Sequence, residues 1–229
     1  MNLDLTNKRA IVSGSTQGIG KASAFELAGL GANVTLVARN EEKLKIVLAE
    51  LNKKYTADHS YLVADFENPE TVKQQIVGFA KNNVVHVLVN NTGGPPAGLA
   101  INAKEEEFVK AFSNHLLCNH ILVQACVEGM KNEKYGRIIN VISTSVKIPL
   151  RNLGVSNTIR GAVANWAKTL SVELAPFGIT VNNVLPGATM TGRLESIISN
   201  NATKADKSFD EAKQDMVHEI PAGRIGEAH

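Results

Sequence analysis

Ser13-Gly14-Ser15-Thr16-Gln17-Gly18-Ile19-Gly20 joins a short apolar run, residues 9–13, to a stretch with helix-period apolar positions, residues 19–30. Glycines at these spacings permit a tight turn and let backbone approach a ligand with no Cβ in the way. The helix that follows presents unpaired N–H groups and its positive dipole end to whatever lies against the turn, which suits a pyrophosphate. A glycine trio also occurs in plain structural turns. Here it stands at a strand–helix junction inside a βαβ unit closed by a second apolar run at residues 33–38, the arrangement that docks a dinucleotide. The candidate contacts are Gly14, Ser15, Thr16, Gln17, Gly18, Ile19 and Gly20.

The end of the second run bears on which dinucleotide. Leu36-Val37-Ala38-Arg39-Asn40 carries no carboxylate where one would hold the adenosine ribose 2′-hydroxyl. A carboxylate there would repel a 2′-phosphate, whereas Arg39 offers it planar, charge-assisted bonds, with Asn40 alongside. NADP(H) is therefore expected ahead of NAD(H). The plainer reading of Arg39 is a solvated loop cation.

Outward from this unit, short runs rich in Val, Ile and Leu recur at residues 60–64, 84–89, 137–142 and 180–185, mostly without polar alternation. Such runs fit strands covered on both faces. Between them, residues 41–54, 69–82, 104–131 and 156–175 have helical apolar spacing, with Asn68-Pro69 as a start signal and Gly31 and Gly178 as stops. The alternation predicts an α/β fold, a doubly wound Rossmann-type parallel sheet with helices on both faces. Residues 1–229 read as one NAD(P)-binding domain, with no repeat or linker. The pattern weakens after Leu194, where residues 199–207 are polar and residues 210–218 have the makings of a short helix near the site.

Composition agrees. The 229 residues are 44% hydrophobic and 20% charged with a net charge of +2, which suits a globular protein and argues against nucleic acid or an anionic membrane surface as partner. No apolar run reaches the roughly 18 residues of a membrane span, and the N-terminus has no signal-peptide core. Cys118 and Cys126 fall in one expected helix about 12 Å apart, too far for a disulfide. Free thiols point to a reducing cytoplasm.

Several further segments carry a resemblance. Asp65, Asn90-Asn91-Thr92-Gly93, Gly136-Arg137-Ile138-Ile139-Asn140, Ser143, Gly178-Ile179-Thr180-Val181-Asn182 and Pro186-Gly187 with Thr191 follow the glycine turn in order. Together they resemble the short-chain dehydrogenase/reductase superfamily, in the branch that contains bacterial 3-oxoacyl-carrier-protein reductases. The resemblance implies that Asp65 holds the adenine amine with Phe66 backbone beside it. Asn90 to Gly93 would pack under the adenine-proximal ribose, Thr92 standing where the family usually has Ala. Pro186, Gly187 and Thr191 would meet the carboxamide and pyrophosphate, and Ser143 the substrate oxygen. These are strand C-terminal positions, where open α/β sheets place ligands. The family also has a last helix and strand after the segment that Gly223-Arg224-Ile225-Gly226 resembles, so the sixth strand is expected at an uncovered edge.

The chemistry implied is reversible hydride transfer between nicotinamide and a small-molecule carbonyl or alcohol. A Tyr-x-x-x-Lys pair normally manages the proton. Counting thirteen residues on from Ser143 puts Ser156 at the Tyr position and Arg160 at the Lys position. A serine hydroxyl is short and weakly acidic, and Arg160 stays protonated, able to hold ribose hydroxyls but not to titrate usefully. Anchored on Gln124-Ala125 and Met130, the family's active-site Asn aligns with His115, and a shift of one residue would restore it at Asn114.

Two readings follow. In one, catalysis persists with altered players: Ser143 and Ser145 bind the carbonyl oxygen, Arg160 polarises it, and His115, titrating near neutrality, or a relayed water supplies the proton. In the other, cofactor binding survives without turnover, as in a sensor or scaffold. His115 also reads as a hydrogen-bonded core residue. Residues 93–98 read as a stiff wall by the nicotinamide or as ordinary turn punctuation. His115 and Cys118 lack a third ligand, so no metal is expected. Tyr135 lies at the far sheet end and cannot stand in for the missing tyrosine. By resemblance, the helices at 104–131 and 156–175, the latter with Trp166, form a homodimer or homotetramer interface.

Overall fold

The computed structural model describes residues 3–229. Six strands, β1 (Arg9–Ser13), β2 (Asn33–Ala38), β3 (Ser60–Val63), β4 (Val87–Asn90), β5 (Gly136–Val141) and β6 (Ile179–Val184), form one sheet. All pairs are parallel, in the order β3-β2-β1-β4-β5-β6. The chain winds outward from β1 to β3, then crosses back to start β4 on the other side of β1. The order reverses between β1 and β4, and the C-terminal ends of these two strands open the crevice where such sheets bind ligands.

Strand side chains alternate between faces, and each face has its own apolar layer. Ala10, Val12, Val34, Leu36, Val87 and Val89 pack against helices α1 (Gly18–Gly29) and α2 (Glu41–Lys54). Ile11, Val37, Leu88 and Ile138 point the other way, onto α3 (Pro69–Ala80), α5 (Cys118–Asn132) and α6 (Gly154–Leu174). Burial of each large side chain contributes about 1.5–3 kcal/mol. An exposed ion pair contributes at most about 1 kcal/mol, so these two layers hold the sheet.

Helix ends follow local chemistry. Asn40 Oδ1 accepts from Lys43 N at 2.9 Å to cap α2, with Glu41 and Glu42 in its first turn and Lys53 and Lys54 in its last. Asn68 caps α3 ahead of Pro69. Gly31 and Gly178 have φ of 94° and 71° where α1 and α6 give way to β2 and β6.

Three elements depart from expectation. The helix expected over 104–131 is broken into α4 (Glu105–Phe112) and α5 by a π-helical turn, Ser113–Leu117. No Gly or Pro announces it, because the cause lies in what His115 meets. Strand β6 is covered on one face only: Ile179 and Val181 are buried while Thr180 and Asn182 are exposed. Around Leu194 the polar sequence folds as an unexpected helix, α7 (Gly192–Ala205), while α8 (Phe209–His218) answers to the short helix expected over residues 210–218. Leu194, Ile198 and Ala202, one helical stripe, form a small core with Ala212 and Ile225. A stripe three residues long sinks below notice among polar neighbours.

Cys118 and Cys126 are free and buried, and burial pushes both thiols up to about 12, with Asp65 adding to the effect on Cys118. No described helix is long and apolar enough to cross a membrane. No group of three metal-ligating side chains occurs among the described residues.

Candidate functional site

The glycine turn lies at the β1/β4 crevice. Gly14 and Gly18 have φ of 61° and 53°, left-handed values that disfavour other residues. An idealised Cβ on Gly14 would fall 2.5 Å from Asn91 O, and one on Gly20 would run into Gly14 O. Asn91 Nδ2 donates to Ser13 O (3.2 Å) and Gly14 O (3.4 Å), tying the end of β4 to the turn. A Cβ on Gly18 would lie 2.9 Å from Thr191, so the turn also meets the start of α7. Gln17 precedes α1 without a side-chain cap bond, and no acidic residue enters its first turn. The dipole end of α1 is thus left for an anion. Thr16 and Ile19 are half-buried, Gln17 is exposed, and Ser15 differs from expectation. Ser15 is fully buried and sends its N–H and hydroxyl to Val37 O, both at 3.4 Å, so its side chain anchors the turn to β2.

At the end of β2, Arg39 is exposed and sits 3.8 Å from Glu67, which also takes Lys110 Nζ at 2.9 Å. The acid missing beside Arg39 in sequence is supplied from the β3–α3 loop. Asn40 spends its side-chain oxygen on capping α2, which removes that atom from ligand contact. Asp65 Oδ1 accepts from Glu67 N at 3.0 Å, shaping this loop. Phe66 packs on the core, and its carbonyl accepts the Cys118 thiol at 3.4 Å. A cavity of about 450 Å³ opens beside it, lined by Glu67, Lys110 and Asn114 among others.

The ends of β4, β5 and β6 carry a ladder of asparagines. Asn90 Nδ2 donates to Asn140 Oδ1 (2.8 Å), and Asn140 Nδ2 to Asn183 Oδ1 (3.1 Å). Asn90 and Asn140 face each other in the strand register, as do Asn140 and Asn183. Asn90 Oδ1 is buried without a partner among the described residues.

Past β4, Thr92 joins two further groups. Its hydroxyl pairs with His115 Nδ1 at 2.5 Å, and its carbonyl accepts Arg160 at 3.3 Å. Arg160 also donates to Val141 O at 3.1 Å and is buried, 7% exposed. The π-helical turn aims His115 here. Asn114, its amide turned to suit its neighbours, donates instead to Phe66 O (2.8 Å) and Lys110 O (3.1 Å). Burial, then Arg160 and Arg193, push His115 down to about 3. The expectation that His115 titrates near neutrality therefore fails: its imidazole is neutral across the physiological range. Burial, then Arg193, also lower Arg160 to about 10.

Ser143 lies two residues past β5 and caps a 3₁₀ turn, its Oγ accepting from Ser145 N at 3.0 Å. Ser145 Oγ is buried without a partner among the described residues. Thr144 N donates to Pro186 O at 3.2 Å, which sets this turn against the Pro186-Gly187 segment. Gly93 and Gly187 border open space. Thr191 caps α7 through Leu194 N. The Thr191 approach is fastened from the C-terminal side, where Met190 N donates to Gly226 O (2.8 Å) and Gly226 N to Ala188 O (2.9 Å). Ser156, one turn before Arg160 on α6, is half-buried, and its hydroxyl makes no hydrogen bond among the described residues.

Glu67, Lys110, Asn183 and Arg193 escaped the sequence reading. Only Asn183 left a signal, as a polar residue in an apolar strand. Arg193 reaches from α7 to Pro95 O at 2.5 Å, across 98 residues of sequence.

The profile of a family described as short chain dehydrogenase matches residues 8–202. The 3-oxoacyl-[acyl-carrier-protein] reductase FabG of Haemophilus influenzae is 34% identical over 228 residues, spanning 98% of this chain and 87% of that protein. The crystal structure of YwfH, an NADPH-dependent reductase involved in bacilysin biosynthesis, superposes with a TM-score of 0.91 at 27% identity, covering 97% of this chain and 87% of that one. L-sorbose reductase from Gluconobacter frateurii, complexed with NADPH and L-sorbose, gives 0.92 at 25% identity, covering 100% and 88%. On this evidence the chain belongs to the short-chain dehydrogenase family.

Proposed function

We propose that this chain is an NADP(H)-dependent carbonyl/alcohol oxidoreductase, similar to 3-oxoacyl reductases, with a non-standard set of proton-handling residues on a single domain. The observation that carries this is the cradle at the β1/β4 switch. Gly14 and Gly20 admit no Cβ, Asn91 braces the turn, and α1 begins uncapped beneath Thr191. These residues fit a dinucleotide pyrophosphate. The Arg39–Glu67 contact is loose and exposed, worth at most about 1 kcal/mol, so a 2′-phosphate can displace Glu67.

Bound nicotinamide would supply or accept the hydride. In this reading the Ser143 hydroxyl donates to the substrate oxygen, and Arg160 provides fixed positive charge where negative charge develops. His115 holds Thr92 in place rather than giving up a proton. The proton reaches the substrate oxygen from water through Ser143 or Ser156. The apolar residues Val109, Phe112 and Val172, exposed on α4 and α6, suit a homodimer or homotetramer interface. The two free thiols suit a cytoplasmic location.

The test is a fluorescence titration with NADPH and NADH, followed by absorbance assays over a panel of 3-oxoesters and ketones. Tighter NADPH binding with substrate-dependent oxidation is expected. A second reading, a nucleotide-responsive protein without turnover, is favoured by the neutral His115 and the serine at position 156. Tight NADPH binding with no oxidation across the panel would select it. Absence of any nucleotide binding would refute both.

A further inference from the structure

Arg160 and Arg193 approach one another across Gly94 with no opposing charge. An idealised Cβ on Gly94 would lie 3.6 Å from a terminal nitrogen of Arg193 and 3.9 Å from one of Arg160. Among the described residues neither guanidinium forms an ion pair. Arg160 is buried and makes two bonds, to the carbonyls of Val141 and Thr92, while Arg193 is exposed and donates to Pro95 O. A guanidinium carries five N–H donors, so both groups keep capacity for a further acceptor. Burial and then the charge of Arg193 lower the protonation of Arg160, while Arg193 itself is lowered by burial. A buried cation facing a second cation is costly until an anion joins them.

We propose that Arg160 and Arg193 together bind an anionic group over Gly94, and that this group is a carboxylate carried by the substrate. The substrate half of the proposal rests on the oxidoreductase reading above. A planar carboxylate can give one oxygen to each guanidinium. The site is reachable, since Arg193 is exposed and Gly94 half-buried. A cofactor phosphate has the same chemistry, but the glycine turn that suits it is braced by Asn91 and Thr191, whereas the arginines meet at the Gly94-Pro95 loop. The substrate class is thus a small oxo or hydroxy acid, with the reacting carbon toward Ser143.

Isothermal titration of the full chain with malonate, against neutral malonamide, tests the anion site without cofactor or turnover. Malonate is expected to bind and malonamide not. Arg193→Gln is expected to weaken malonate about ten- to hundredfold, with Arg193→Lys recovering part of the loss. In the NADPH assay the wild type is expected to prefer acetoacetate to methyl acetoacetate, and Arg193→Gln to lose that preference. Failure of malonate to bind the wild type, or equal affinity in Arg193→Gln, would overturn the proposal. So would loss of NADPH affinity in Arg193→Gln with malonate binding unchanged, which would assign the pair to a cofactor phosphate. If NADPH neither binds nor reacts, the oxidoreductase reading fails by itself, and the malonate titration still decides the anion site.

Discussion

Lowering the pH should unfold this protein by way of one buried imidazole. His115 is 1% exposed, hydrogen-bonded to Thr92, and held at about 3 by burial and two arginines. In the unfolded chain it would titrate near 6.5. Between those values the unfolded state binds the extra proton, so stability is fully present above pH 6.5 and falls as the pH drops toward 3. The loss is about 1.4 kcal/mol per pH unit, about 5 kcal/mol in all, a large share of a typical folding free energy. Other groups also weaken the fold in acid, including His59 and His86, whose protonation is lowered chiefly by burial. The variant His115→Asn removes one titration and leaves the rest. Urea unfolding of both proteins from pH 7.5 to 4.5 isolates the difference. At the lower limit the wild type should have lost about 3 kcal/mol more than the variant. A difference between the two that stays flat over this range would show that His115 is not held neutral, and the account of the Thr92–His115–Arg160 cluster would fall.

Four other substitutions test separate parts of the site. Gly14→Ala puts a Cβ against Asn91 O at a left-handed φ, so it should cost about 1–3 kcal/mol by urea unfolding and abolish NADPH binding. Arg39→Ala should raise the NADPH dissociation constant about tenfold or more and leave NADH unchanged, while Glu67→Gln should tighten NADPH. Equal effects on both nucleotides would remove the 2′-phosphate role. Asn140→Ala strips partners from Asn90 and Asn183 at once, and should cost about 2–4 kcal/mol in urea unfolding. A loss below about 0.5 kcal/mol would show that water satisfies the ladder.

Most of the architecture was legible because it is written in local rules. The short unbroken apolar runs, the period-3.6 apolar spacings, the Asn68-Pro69 start and the glycine stops are short-range signals, and β1, β2 and α2 match their expected bounds. The strand–turn–helix junction at residues 13–20 marked the crevice, since a backbone that excludes Cβ atoms leaves glycines in the sequence. Likewise Ser156 and Arg160 were visible at once as departures from a family pattern.

What tertiary structure alone decided is which side chains meet, because that depends on groups far apart in sequence. The π-helical turn that sends His115 to Thr92 and Asn114 to Phe66 O has no local signature, and neither has the near-neutral expectation for His115 that burial beside two arginines overturns. Glu67 finds Arg39 from another loop, and Ser15 turns inward to Val37 O. Arg193 reaches the Gly94-Pro95 loop only because a stripe of three apolar residues folds α7 across the crevice. The sequence by itself determined the parallel doubly wound sheet and the glycine turn that admits a dinucleotide, through periodicity and sterics. The charge of the reacting end, where two cations face one another with no acid between them, was set by burial and distance, which only the folded chain defines.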